Sequence, residues 1–265
     1  MNIFVLWALI ASLCTWGLTS LGAAIIVFFK SPKQNTLNLL LGFSAGVMIA
    51  ASFWSLLQPA IESAELVSNM PPYFVVTLGF LAGAIFIWLS DKAVTQAIFK
   101  ANNSMNHISG KSKRVIMLIT AITLHNIPEG LAIGVAFGLL NNNYNSSALM
   151  GAISIALGIG LQNFPEGAAV SLPLRREGHS RFKSFFYGQL SAIVEPISAT
   201  IGALLVTKIE RILPFSLSFA AGAMIIVAVH ELIPECQQNN NNQPYTATMG
   251  IISGFSIMML LDVML

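Results

Sequence analysis

Eight long apolar segments, separated by short polar ones, follow one another along the whole chain. A helix that crosses a lipid bilayer needs about 20 predominantly apolar residues. The segments that meet this requirement are residues 3–29, 37–58, 72–91, 114–139, 147–172, 184–206, 214–235 and 246–264. The breaks between them are rich in Asn, Gln, Ser and Pro, as at residues 141–147 and 237–244. We therefore predict an all-α integral membrane protein with one transmembrane domain, residues 1–265, whose segments are called spans one to eight below.

The composition agrees with this pattern. Of the 265 residues, 55% are hydrophobic and only 9% are charged, whereas a soluble domain carries roughly 25% charged residues. The formal net charge of +2 is too small to indicate a nucleic-acid partner. Cys14 and Cys236 both lie in apolar segments and form no Cys-x-x-Cys motif. The partner that the composition indicates is the lipid bilayer.

Basic residues are concentrated in alternate connections. The connections after spans one, three and five, together with Arg114 at the start of span four, hold all the Lys and Arg residues except Lys208 and Arg211, which lie between spans six and seven. Short cytoplasmic connections of membrane proteins carry an excess of Lys and Arg. We therefore expect both termini on the extracytoplasmic side. The short loops also favour the cell (inner) membrane of a bacterium.

Short sequence patterns recur between the two ends of the chain. Residues 45–49 of span two resemble residues 221–225 of span seven, and residues 21–23 of span one resemble residues 201–203 of span six. The Gly-Gly-Asp spacing of span three returns in span eight, at Gly79, Gly83 and Asp91 and at Gly250, Gly254 and Asp262. Copies five spans apart run in opposite directions, and inverted repeats are typical of secondary transporters. We predict a 3+2+3 arrangement: a three-helix repeat (1–99), a central pair (114–173) and a second repeat (184–265).

The central pair carries a repeated polar motif. Residues 126–130 read Asn-Ile-Pro-Glu-Gly and residues 163–167 read Asn-Phe-Pro-Glu-Gly. They place Glu129 and Glu166 deep in two spans, and Glu195 lies deep in span six. Each charge at the bilayer centre costs about 2.5–3.5 kcal/mol on insertion scales. Because no Lys or Arg lies equally deep, a proton or a bound cation must neutralise these glutamates.

The residues around the glutamates favour a metal cation. His125 and Glu129 are four residues apart and share a helix face. Gln162, Asn163 and Glu166 repeat this arrangement on span five, and the prolines before the two motif glutamates leave backbone carbonyls without helical partners. Imidazole and carboxylate ligands suit zinc, iron and manganese, whereas calcium prefers more oxygens and no His. Two carboxylates can also bridge two metal ions.

Other interpretations use some of the same residues. An intramembrane metalloprotease usually shows His-Glu-x-x-His, but the only His-Glu pair, His230-Glu231, has no second His at that spacing. A carrier of protons or other cations would not need His125. Asp91, His230 and Glu231 lie near the predicted cytoplasmic ends of spans three and seven, where they form either an exit path for metal or ordinary interfacial polar residues. We expect a transporter without a prosthetic group, and not an enzyme.

The two motifs, His125-Asn126-Ile127-Pro128-Glu129-Gly130 and Gln162-Asn163-Phe164-Pro165-Glu166-Gly167, resemble those of the ZIP (Zrt/Irt-like) family of metal transporters, in particular its GufA-like branch. The resemblance implies an elevator-type homodimer that moves Zn²⁺, or Fe²⁺, Mn²⁺ or Cd²⁺, into the cytoplasm. It also implies a binuclear centre with two ions per protomer. The first ion would be held by His125, Glu129, Gln162 and Glu166 near Met48, and the second by Asn126, Asn163 and Glu195 with the shared glutamates.

Two departures from the family pattern affect this expectation. Many family members have His at the position of Gln162, and some have Asp at the position of Asn163. The connection between spans three and four has His107 as its only histidine, whereas some members have a His-rich loop there. The departures bear on metal affinity, selectivity and occupancy of the second position.

Overall fold

All regular structure in the described part of the chain is helical. The computed structural model describes residues 2–27, 33–68, 70–104, 110–141, 144–176, 178–208, 210–237 and 245–264, with the backbone alone at 67, 98–104, 110–118, 121, 125, 176, 208 and 210. The α-helices are Ile3–Ala24, Gln34–Ala51, Gln58–Val67, Pro72–Ser104, Gly110–Leu139, Ser146–Arg176, Arg181–Leu190, Val194–Lys208, Leu213–Val227, Ile233–Gln237 and Tyr245–Met264. His107 lies outside the described residues.

Eight helical segments within these ranges are long and apolar enough to cross a bilayer, which confirms the predicted number of spans. They are Ile3–Val27, Gln34–Leu66, Pro72–Ala97, Ile122–Leu139, Ser146–Arg175, Arg181–Thr207, Leu213–Gln237 and Tyr245–Met264. Span two continues well beyond residue 58, where its apolar run ends. Polar residues such as Glu62 and Glu65 do not stop a helix, which here ends at Val67 with Ser68 in extended geometry.

Among the described residues, three spans depart from regular α-helix in their interior, and span one ends in a 3-10 turn, Ile25–Val27. Spans two and seven contain π-helical turns, Ser52–Leu57 and Ala228–Leu232, which begin at matching distances after Met48 and Met224. Such turns occur frequently at functional sites. Span six is interrupted by a turn at residues 191–193, so its second part, Val194–Lys208, has Glu195 in its first helical turn. The break therefore creates a helix N-terminus inside the bundle, where the helix dipole favours a carboxylate.

The spans pack in four close pairs: two with eight, three with seven, one with five, and four with six. A Cβ added at Gly46 would lie 2.0 Å from the carbonyl oxygen of Ile251, and one at Gly222 would lie 1.9 Å from that of Phe80. Small residues let backbones approach this closely. The contacts also follow the sequence pattern: Gly83 meets Phe219 as Gly254 meets Phe43, and the residues of these two contacts occupy matching positions in the two ends of the chain.

The bundle has a central span and peripheral ones. In span four, 71% of the residues in its apolar stretch are buried inside the bundle, compared with 22% in spans three and eight. Spans three and eight therefore lie at the periphery and expose apolar side chains such as Leu81, Trp88 and Leu260. The polar motifs of spans four and five lie in the interior, where they are shielded from lipid.

Candidate metal centre

Spans four, five and six together bury a cluster of polar side chains. Exposure is 0% at Asn126, Glu129, Gln162, Asn163 and Glu195, and 2% at Glu166. Despite Pro128 and Pro165, spans four and five remain helical through their motifs. The side chain of His125 is outside the described set, so its predicted role as a ligand stays a prediction.

Close backbone contacts join span four to span six, and span five to span one, beside this cluster. A Cβ at Gly130 would lie 2.4 Å from the Glu195 carbonyl oxygen, and one at Gly167 would lie 2.0 Å from the Thr19 carbonyl oxygen. The glycine that follows each motif glutamate is thus the point where span four touches span six and span five touches span one. The final residue of each motif is explained by this packing.

The three amides of the cluster direct their NH₂ groups to protein acceptors. Gln162 Nε2 donates to Glu129 Oε1. Asn163 Nδ2 donates to both carboxylate oxygens of Glu195, at 2.9 Å each. Asn126 Nδ2 donates to the carbonyl of Ser191 at 3.1 Å, a carbonyl at the break in span six. These bonds connect the three spans and orient the amides.

The oxygens of the three amides, and one oxygen of Glu129, lack hydrogen-bond donors among the described groups. Asn126 Oδ1, Gln162 Oε1, Asn163 Oδ1 and Glu129 Oε2 are buried and have no hydrogen-bond partner among the described groups. Such buried, unsatisfied acceptors are rare in folded proteins, and each costs about 1–3 kcal/mol. An oxygen can be satisfied by a donated hydrogen or by a cation. Four such oxygens in one buried cluster have the chemistry of a cation site.

The structure does not gather the three glutamates into one tight group. Among the described side chains, no three His, Cys, Asp or Glu residues form a set that could hold a metal ion by themselves. Instead, Gln162 pairs with Glu129, and Asn163 pairs with Glu195. A metal ion here would therefore depend on amide oxygens as well as carboxylates.

Comparison with known proteins identifies the family. The family model described as "ZIP Zinc transporter" matches residues 3–115 and 100–262 of the chain. The protein belongs to the ZIP family. It is 38% identical to zinc transporter ZIP11 of Xenopus tropicalis over 98% of this chain and 97% of that protein. It is 36% identical to human ZIP11, over 97% and 96%, and 33% identical to zinc transporter GufA of Myxococcus xanthus, over 97% and 98%.

Membership of the ZIP family confirms the resemblance expected from the two motifs. It also supports a transporter over the intramembrane metalloenzyme or proton carrier, because the relatives are named zinc transporters. The individual ligands are a separate matter, and they depend on the geometry of this chain.

Two hydroxyl residues near the ZIP motifs were missed by the sequence analysis. Thr15 Oγ1 of span one lies 2.6 Å from Glu195 Oε2, and Ser44 Oγ of span two lies 3.4 Å from Glu166 Oε1. Span one carries a signal: Ser12, Thr15 and Thr19 share one helix face and are all buried. In an otherwise apolar helix, such a stripe indicates a polar neighbour. Met48, fully buried, lies one helical turn after Ser44.

The residues of the predicted exit path lie outside this buried cluster. Asp91 and Glu231 are half-buried, and His230 is exposed. His230 and Glu231 belong to the π-helical turn of span seven. Asp91 lies on the Pro72–Ser104 helix, which packs against span seven. Their use as an exit path stays a prediction.

A cavity of about 350 Å³ opens at the other end of the bundle. Asp262 of span eight lines it, and its Oδ1 accepts hydrogen bonds from Ser55 at 2.7 Å and Ser154 at 2.9 Å. Its Oδ2 is buried and has no partner among the described groups. Glu62 also lines the cavity. The sequence identified Asp262 only as the repeat counterpart of Asp91, and the structure places its side chain in the lining of a cavity.

Proposed function

We propose that this ZIP protein carries divalent transition-metal ions, most of all Zn²⁺ and also Fe²⁺, Mn²⁺ or Cd²⁺, into the cytoplasm. The observation that carries the proposal is the set of buried oxygens, on Asn126, Glu129, Gln162 and Asn163, that have no hydrogen-bond donor in the described part of the chain. Burying uncompensated acceptors and carboxylates inside membrane helices is costly. A transported cation offsets that cost when it is bound. The relatives of this protein are named zinc transporters, which agrees with this cargo.

We assign the cargo to two neighbouring positions. The first is formed by His125, Glu129, Gln162 and Glu166, with Met48 close by. Glu129 Oε2 and Gln162 Oε1 support this position, since neither has a hydrogen-bond partner among the described groups and both are available as ligands.

The second position is formed by Asn126, Asn163 and Glu195, with the shared glutamates. The bare Oδ1 atoms of the two asparagines support it. Glu195 Oε1 accepts one hydrogen bond, from Asn163, and a carboxylate oxygen has room for a second interaction. The binuclear centre thus combines carboxylate and amide oxygens with one imidazole.

We further propose alternating access of the elevator type in a homodimer. The close pairs one–five and four–six contain every proposed ligand except Met48, and the pairs two–eight and three–seven contain the rest of the bundle. Movement of the first group against the second would carry the ions with their ligands. The matching glycine contacts of spans two, three, seven and eight support the inverted 3+2+3 arrangement that such a mechanism uses.

The proposed orientation of the protein rests on the charge pattern. The basic connections support termini on the extracytoplasmic side of a bacterial cell (inner) membrane. In that orientation the cavity at Asp262 opens outward, and its carboxylate attracts cations. Asp91, His230 and Glu231 lie at the inner end, where they would receive the ion.

Metal uptake by purified protein in liposomes tests the proposal. Uptake of Zn²⁺ is followed with a fluorescent indicator in the lumen for the wild type, Glu129→Ala and Glu166→Ala. Glu65→Ala is the matched control, because Glu65 is exposed at the end of span two. We expect both site variants to lose uptake and the control to retain it. Wild-type uptake rates in both site variants would contradict the site assignment, and no uptake by the wild type would contradict the function.

A further inference from the structure

We propose that Thr15 is a positioning residue that holds the Glu195 carboxylate in place for the second metal position. Thr15 belongs to span one, outside both ZIP motifs, and it was not among the residues predicted from the sequence. The inference rests on the proposed function, since it concerns the affinity of one of the two metal positions.

The hydrogen bonds to Glu195 distinguish its two oxygens. Oε2 accepts from Thr15 Oγ1 at 2.6 Å and from Asn163 Nδ2 at 2.9 Å, whereas Oε1 accepts, among the described groups, only from Asn163 Nδ2, at 2.9 Å. A carboxylate offers about four acceptor sites on two oxygens. Oε2 is therefore fully used, and Oε1 keeps one site for a metal ion. Thr15 thus determines which oxygen faces the metal.

The position of the Thr15 hydroxyl is fixed by its surroundings. A Cβ at Gly22 would lie 1.8 Å from the Phe164 carbonyl oxygen, and one at Gly167 would lie 2.0 Å from that of Thr19, so spans one and five are in backbone contact on this side. The branched side chain of threonine has few rotamers, and Thr15 Oγ1 also lies 3.0 Å from the Ser12 carbonyl. The hydroxyl is therefore held rigidly against the carboxylate.

A purely structural role for Thr15 predicts different contacts. Threonine in a helix commonly donates to a carbonyl of its own preceding turn, and Thr19 does this alone, to the Thr15 carbonyl at 3.3 Å. Thr15 also has a carbonyl of the preceding turn within reach, that of Ser12 at 3.0 Å, but its shorter contact, 2.6 Å, is with a carboxylate 180 positions away in sequence. Both threonines are buried on the same helix face, so Thr19 is a matched control for Thr15.

Hydrogen-bonded neighbours of metal ligands typically contribute 10–100-fold to metal affinity. We therefore expect Thr15→Val, which keeps the shape of the side chain, to weaken the second Zn²⁺-binding event by about 10–100-fold and leave the first unchanged. Thr15→Ser should restore binding because it restores the hydroxyl. Thr19→Val should bind both ions as the wild type does. The measurement is calorimetric titration of the detergent-solubilised full-length protein with Zn²⁺, with elemental analysis of the bound metal.

The outcomes separate this inference from the proposed function. Two unchanged binding events in Thr15→Val, equal losses in Thr15→Val and Thr19→Val, or failure of Thr15→Ser to restore binding would each overturn the positioning role while leaving the function intact. Wild-type protein that binds no Zn²⁺ overturns the proposed function, and wild-type protein that binds a single ion overturns the second position. Selective loss of the second event with rescue by serine supports the inference.

Discussion

The glycine that follows the glutamate of span five offers a sharp test of the packing at the site. In Gly167→Ala the new Cβ would lie 2.0 Å from the Thr19 carbonyl oxygen and 2.8 Å from the Ala23 nitrogen. Both are backbone atoms, so no side-chain rotation relieves the clash. Ordinary carbon–oxygen contacts lie at about 3.3–3.6 Å. Spans one and five must therefore separate by more than about 1 Å, next to Glu166.

A second glycine on the same helix isolates this effect. Gly151 has nothing within 4 Å of an added Cβ. Alanine gains about 0.8–1.0 kcal/mol of helix propensity over glycine at both positions, so the gain cancels in the comparison. The remaining difference is the overpacking cost of Gly167→Ala, about 1–3 kcal/mol. A displacement of about 1 Å at a reacting site can also cost on the order of 100-fold in rate.

Thermal unfolding in detergent and Zn²⁺ uptake in liposomes measure the two consequences. We expect Gly151→Ala to melt at or above the wild-type temperature and to transport normally. Gly167→Ala should melt lower and transport much more slowly. If both variants melt and transport alike, the close contact between spans one and five is not as described, and the account of the motif glycine is wrong.

Two further predictions concern the second metal position and the outer cavity. Asn163→Asp replaces the NH₂ donor to Glu195 with a second carboxylate, so the metal-free protein should be less stable than the wild type. The rise in melting temperature on adding Zn²⁺ should be larger than in the wild type, and an unchanged rise would count against the second position. Asp262→Asn removes a charge from the lining of the 350 Å³ cavity. Uptake at low Zn²⁺ should fall by at least about tenfold, with little change in maximal rate. The difference in uptake between this variant and the wild type should shrink at high salt. A lower maximal rate with normal uptake at low Zn²⁺ would refute a role in attracting cations.

The spans were predictable because the bilayer leaves few options for an apolar run of this length. The deep glutamates stood out for the same reason, since an ionised group in that position needs a partner. The helix of span two past residue 58 was not predicted, because Glu62 and Glu65 ended the hydropathy signal without ending the backbone hydrogen bonds. The π-helical turns of spans two and seven leave no comparable signal in the residues that form them.

The burial of the candidate site's polar residues was predictable from the sequence, and their mutual arrangement was less so. The sequence identified Glu129 and Glu195, but it did not indicate that Gln162 and Asn163 would each pair with one of them. Amide orientation depends on neighbours that come from other spans. Thr15 was missed because a single hydroxyl costs little in an apolar helix, and its partner lies far away in the sequence. The exit path, the repeat boundaries and the ligand roles of all the predicted site residues stay predictions.

The central claim is that a transported metal ion binds among spans four, five and six. Anomalous X-ray diffraction at the zinc absorption edge, from crystals grown with Zn²⁺, tests it most directly. We expect a peak within about 2.0–2.2 Å of Glu129 Oε2, the usual zinc–oxygen distance, with a second peak near Asn126 Oδ1 and Asn163 Oδ1. Zinc found only at Asp262 or at surface residues, with none among the three spans, would contradict it.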